Sequence, residues 1–170
     1  MMDKKVINLL NEQVNKELYS AYLYLDMANY YSAANLNGFN NWFMVQTQEE
    51  LSHAKLIIQY LQNNNIDVKL ASINAPSFTF TDFIQPLEEA YKHEKYVTES
   101  IYTIYEAAQE AKDFRTLKFL DWFVDEQAEE EKNVDELINK FKLFASDGKG
   151  LYMLDSELAT RVYTPPSLVL

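Results

Sequence analysis

Glu50 and His53 stand three residues apart in Glu49-Glu50-Leu51-Ser52-His53, within a stretch whose apolar residues recur at helical spacing. Residues three apart on a helix share a face, so this carboxylate and imidazole can grip one metal ion. Alone, Glu-x-x-His is common on solvated helices and signifies little. The rest of the chain supplies its counterpart. Adding 77 to the polar positions of the first half puts Glu12 on Glu89, Glu17 on Glu94 and Tyr19 on Tyr96. The same offset puts Glu49 on Glu126, Glu50 on Gln127 and His53 on Glu130. Matching polar positions of this kind are expected of two helical hairpins related by a pseudo-twofold axis.

Glu17 sits between Val14 and Leu18, and Glu94 between Tyr91 and Val97, so both carboxylates point inward with the core. Buried, unpaired carboxylates are costly, and several at one level repel each other. A bound cation cluster relieves both penalties. Helical bundles that hold two iron ions carry a Glu on each of two helices and Glu-x-x-His on each of the other two. Glu17, Glu94 and Glu50-x-x-His53 fit that pattern, while the fourth helix offers Gln127-x-x-Glu130 and lacks the second imidazole. A carboxylate-rich set with one imidazole suits Fe(II) and Fe(III). The residues therefore predict a di-metal centre.

The elements that must position these groups are read from periodicity and breakers. Val6, Leu9, Leu10, Val14, Leu18, Ala21 and Leu25 give a buried face to a helix over about 3–34, and Asn35-Leu36-Asn37-Gly38 breaks it. A second helix spans about 39–63. Residues 66–81, with Pro76 and several Ser, Thr and Asn, are non-helical. A third helix spans about 82–112, with Pro86 tolerated in its first turns, and Asp113 suits the cap of a fourth over 114–145. A turn over 146–150 leads to a short fifth helix over 151–162, and Thr164-Pro165-Pro166 opens an extended tail to Leu170. Each long helix measures roughly 40 Å, and the central connection reaches roughly 50 Å, long enough to run the height of the bundle. The expected fold is all-α: one domain over residues 1–170, a four-helix bundle with one long crossover between helices two and three, plus a short C-terminal helix.

Composition excludes much else. With three Gly among 170 residues there is no Walker loop and no Rossmann fingerprint. The absence of cysteine rules out disulfides, thiolate metal sites and a Cys nucleophile. Net charge is −11 and pI about 4.6, which repels nucleic acid and attracts cations. Neither a signal-peptide h-region nor a run of about 18 apolar residues is present, so a cytoplasmic protein without membrane contact is expected.

At these residues the chain resembles the ferritins, most closely the bacterial non-haem ferritins. The likeness covers nearly the whole length: Asn11-Glu12-Gln13, Glu17-Leu18-Tyr19-Ser20, Gln48-Glu49-Glu50 with His53, Tyr91-Lys92-His93-Glu94, Glu126 to Lys132, and Gly150-Leu151-Tyr152. The resemblance implies a ferroxidase centre in which Glu17, Glu50 and His53 hold one iron and Glu50, Glu94 and Glu130 the other, with Glu50 bridging and Gln127 beside the second. It implies a third iron position at Glu49, Glu126, Glu129 and Glu130, a tyrosine beside the centre at Tyr24, and Trp122 nearby. It also implies oxidation of Fe(II) by O2, with H2O2 as the alternative oxidant, and a hollow homo-oligomer of 24 subunits storing ferric mineral.

Other readings are set against it. A haem-binding bacterioferritin carries Met directly before the helix-two His; here that place is Ser52, so no haem is expected. A rubrerythrin needs cysteines. His93 adjoins Glu94, but neighbouring helical residues diverge by about 100°, so it is not expected among the ligands. The remaining alternatives are another di-iron carboxylate oxidase or peroxidase, and a non-catalytic helical scaffold whose polar residues are only buried networks.

Overall fold

The computed structural model of the chain describes residues 2–170, and those residues form five helices and no strand. They are α1 (Lys4–Ala33), α2 (Asn37–Asn63), α3 (Gln85–Glu110), α4 (Phe114–Phe144) and α5 (Gly148–Leu158). Met1, where the expected domain begins, lies outside the described residues. The first three helices stop alike. Asn35, Asn65 and Lys112 adopt positive φ, at 60°, 57° and 55°. The N–H two residues past each C-cap then returns to the third carbonyl from the helix end, as in Leu36 to Tyr31, Ile66 to Leu61 and Asp113 to Ala108. Asn tolerates that conformation; Lys112 adopts it at a cost.

Helix starts differ from the sequence expectation for local and distant reasons. Asp82 accepts from the N–H groups of Ile84 and Gln85, both at 3.1 Å, so it precedes α3 instead of opening it. Asp147 caps α5 through Gly150 N at 2.7 Å, so the expected turn is the cap and first turn of that helix. That helix ends at Leu158, short of 162. α2 starts at Asn37 because the Asp155 carboxylate, far along the chain, accepts from the N–H groups of Gly38 and Phe39 at 2.8 and 3.0 Å. A Cβ on Gly38 would lie 1.6 Å from the Asp155 carbonyl oxygen. Gly38→Ala must therefore push α5 off the bundle, losing this cap and the burial of Leu154 and Leu158. We expect it to cost about 2–4 kcal/mol in urea unfolding; an unchanged midpoint would mean that α5 docking adds no stability.

Two apolar clusters fill the bundle. One contains Tyr24, Met27, Tyr31, Phe39, Phe43 and Leu137; the other contains Val6, Leu10, Val14, Ile57, Leu61 and Phe119. On every long helix a buried polar stretch falls between them: Gln13, Glu17 and Ser20 on α1, Gln46, Glu50 and His53 on α2, Glu94, Thr98 and Ser100 on α3, and Gln127 and Glu130 on α4. The polar groups thus form a layer across the middle of the interior.

The crossover runs alongside α1. Lys69 N donates to Asn11 at 2.7 Å, Asn15 donates to the Ser72 carbonyl, and Phe80 packs on Tyr30 near the far end. This traverse makes α2 and α3 parallel. Cα atoms of α1 approach α2 and α3 within 8 Å, as those of α3 approach α4, but none of α2 comes that close to α4. Large side chains span the wider α2–α4 gap, including Tyr60 stacked on Phe119 at 4.0 Å. Beyond α5 the tail lies along the same face: Tyr163 meets Ser52 at 2.6 Å, Ser167 accepts from Trp122 at 3.1 Å, and Leu168 joins the second cluster.

Candidate metal centre

Glu17, Glu50 and His53 are buried, and one ligand atom of each lies within 4.8 Å of the others. A hydrogen-bond chain holds Glu17. Lys16 Nζ donates to Ser100 Oγ, Ser100 donates to Gln13 Oε1, and Gln13 Nε2 donates to Glu17 Oε1, at 2.6, 2.6 and 2.8 Å. The second oxygen, Glu17 Oε2, has no hydrogen-bond partner, and neither has Glu50 Oε2, which lies 3.6 Å from His53 Nδ1. Buried carboxylate oxygens are almost always satisfied. Two orphans in one compact Glu–Glu–His group fit a hard, oxygen-preferring cation.

The other half of the layer is arranged differently. Glu94 accepts a hydrogen bond from the Tyr24 hydroxyl and, on its other oxygen, from Gln127 Nε2 at 3.2 Å. Both oxygens are engaged, and Glu94 belongs to no close three-residue group among the described residues. Glu130 accepts from Gln46 Nε2 at 2.8 Å. The second three-residue group joins His53, Glu126 and Glu130, with His53 Nε2 at 3.6 Å from Glu126 Oε1. His53 therefore belongs to both groups and packs edge-on against Trp122 at 5.5 Å. Glu49 lies just outside, bound by Arg161 at 2.8 Å. Glu129 is exposed and joins neither group.

Electrostatics follow from burial. Burial raises Glu50 well above the ordinary carboxyl range, Glu94 to about 8 with Glu130 adding to the effect, and Glu49 to about 7 against the opposing pull of Arg161. Glu130 is likewise raised, again chiefly by burial. Burial alone would depress His53, but its contacts with Glu126 and Glu50 outweigh it and raise the imidazole well above its usual value. Burial and Glu94 push the Tyr24 phenol up, keeping it protonated as a donor. The layer retains protons where cations would otherwise balance its charge.

His93 stands apart. It pairs through Nε2 with Ser20 Oγ at 2.7 Å, and burial lowers it to about 4, so it is neutral. Gln13, Gln46, Lys16, Ser100 and Arg161 escaped sequence reading as parts of the site. Gln13 stands four residues before Glu17, the carboxylate it holds, a spacing that marks it as a support in retrospect, whereas Gln46 donates to Glu130, 84 residues away, and its position gives no such hint. Arg161 carries no such signal, since 112 residues separate it from Glu49.

Comparison with known proteins agrees with this architecture. A family model described as a ferritin-like domain matches residues 7–144. The bacterial non-heme ferritin of Campylobacter jejuni is 39% identical over 155 residues, covering 91% of this chain and 93% of its own. That of Staphylococcus aureus is 32% identical over 163 residues, covering 96% and 98%. Among solved structures, an engineered closed form of the Archaeoglobus fulgidus ferritin superposes with a TM-score of 0.93 at 40% identity, covering 96% of this chain and 100% of that one. A humanized archaeal ferritin gives 0.95 at 39% identity, covering 97% and 100%.

Proposed function

The chain belongs to the ferritin family, and from that premise we propose that it oxidises Fe(II) at the buried layer and stores the ferric product as oxohydroxide inside a hollow shell of 24 copies. The observation that carries the site is the Glu17–Glu50–His53 group with its two partnerless carboxylate oxygens. Iron enters as substrate. Glu17, Glu50 and His53 take one Fe(II), and Glu50, Glu94 and Glu130 take the second, with Glu50 common to both and Gln127 beside it. Two Fe(II) ions give up one electron each, and O2 accepts the pair; H2O2 can stand in as oxidant. Tyr24, protonated and hydrogen-bonded to Glu94, orients that carboxylate toward the second position. The His53–Glu126–Glu130 group supports a third position on the α2–α4 side, with Glu49 and Glu129 flanking it. With Ser52 directly before His53, this reading assigns no haem to the chain. None of the described helices is long and apolar enough to cross a membrane.

Anaerobic loading with Fe(II) followed by air tests the reading. About two Fe(II) per chain should react in a fast phase with a transient visible absorbance. Iron should then accumulate far beyond that stoichiometry in a particle of roughly half a megadalton, given 19.9 kDa per chain. A fast phase without accumulation would identify a di-iron oxidase or peroxidase that does not store iron. No uptake at all would leave a helical scaffold with a buried polar network.

A further inference from the structure

The chain's own C-terminal segment crosses the α2–α4 side of the polar layer and is tied to that side at three points. Arg161 lies over the Trp42 ring, 4.7 Å from its centroid, and donates to the Trp42 carbonyl at 3.2 Å. Its Nη2 donates to Glu49 Oε2 at 2.8 Å and to Gln46 Oε1. Because that contact takes the Gln46 oxygen, the amide NH2 must face Glu130, where it donates at 2.8 Å. Further on, Tyr163 donates to Ser52, whose own proton goes to the Gln48 carbonyl at 2.9 Å. Ser167 holds the indole N–H of Trp122, the ring packed against His53.

We propose that residues 161–167 form a strap over the metal layer, in which the Arg161 guanidinium occupies a cation's place beside Glu49 and, through Gln46, holds Glu130, so that a metal ion binding on the α2–α4 side must displace it. This rests on the metal-binding reading above. The guanidinium brings a full positive charge and a rigid fork of N–H donors to the place where a cation would sit. An incoming divalent ion meets both its repulsion and a Glu49 oxygen already engaged by a charge-assisted hydrogen bond. One displacement frees two carboxylates, because release of Gln46 Oε1 lets that amide turn away from Glu130. Besides these contacts Asn41 Nδ2 donates to the Arg161 carbonyl at 2.9 Å; Val162 and Thr164 are exposed, and no residue from 161 to 167 is fully buried. Arg161 is thus a positioning residue that opposes occupancy of the outer position while leaving the Glu17–Glu50–His53 group unobstructed.

Zn(II), which is redox-inert, separates these ideas in calorimetric titrations of the full-length assembled protein. The wild type should bind about two ions per chain, followed by a weaker event. In Arg161→Ala the weaker event should tighten about tenfold while the ion held by Glu17, Glu50 and His53 binds as in the wild type. Arg161→Lys, which keeps the charge, should lie near the wild type, and Glu49→Gln combined with Arg161→Ala should abolish the gain. Tyr163→Phe removes one hydroxyl only, and should move the same event in the same direction if the larger change impairs folding. Two tight ions in both proteins with superimposable weaker events would overturn the strap alone. No Zn(II) binding in either protein would overturn the metal reading with it.

Discussion

Glu50→Ala is expected to abolish the fast phase of Fe(II) oxidation, and His53→Ala to slow it by about 100-fold or more in stopped-flow absorbance. Glu50 brings one of the two orphaned oxygens, Oε2, to the group it shares with Glu17 and His53. It is also the carboxylate assigned to both iron positions, so its loss separates two ions that must react together. His53 belongs to both three-residue groups and supplies the only imidazole in either. Folding provides a built-in control. Glu50 has no hydrogen bond on Oε2 and is raised well above its usual range by burial, so removing it should leave metal-free thermal stability equal to or above the wild type. Gln127→Ala, which strips one neutral donor from Glu94, should slow the reaction less than either. A Glu50→Ala protein that keeps its fast phase would remove this residue from the ligand set.

What could be read from the sequence and what could not divide along physical lines. Helices are periodic, and with three glycines in the chain their breaks are few, so four long helices and the crossover follow from pattern alone. The offset of 77 works because a pseudo-twofold bundle places equivalent residues at equivalent heights. The structure indeed gathers Glu17, Glu50, His53, Glu94, Gln127 and Glu130 in one layer. It does not make the halves alike. Glu94 is engaged by Tyr24 and Gln127, while Glu126, half-buried, approaches His53 instead. Such asymmetry depends on side-chain reach, which spacing does not encode. Contacts between distant segments were equally hidden. Asp155 caps α2 from 116 and 117 residues away, and Arg161 reaches Glu49 across 112. Nothing periodic links these polar residues to their partners, so only the folded backbone brings them together.

Metal-free and metal-loaded protein should diverge in stability as pH rises from about 6.5 to 8. Glu49 and Glu94 are held at about 7 and about 8 against an ordinary 4.5, in both cases first by burial. Over that interval the folded chain retains protons that the unfolded chain has released. Stability present below the unfolded value is then lost as pH climbs through the folded one. His53, raised above its usual value, acts in the same direction. His93 acts oppositely, being lowered to about 4, but its contribution changes only below 6.5 and is constant here. The metal-free melting temperature should accordingly fall across the interval. Bound cations require the same carboxylates and imidazole without their protons, so affinity strengthens with pH by about 1.4 kcal/mol per unit for each proton displaced. Because a ligand that binds only the folded state stabilises it, the gap between melting curves with and without Zn(II) should widen steadily toward pH 8. A gap independent of pH would mean that binding displaces no protons from the layer, and the buried carboxylates would then be a structural network and not a metal site.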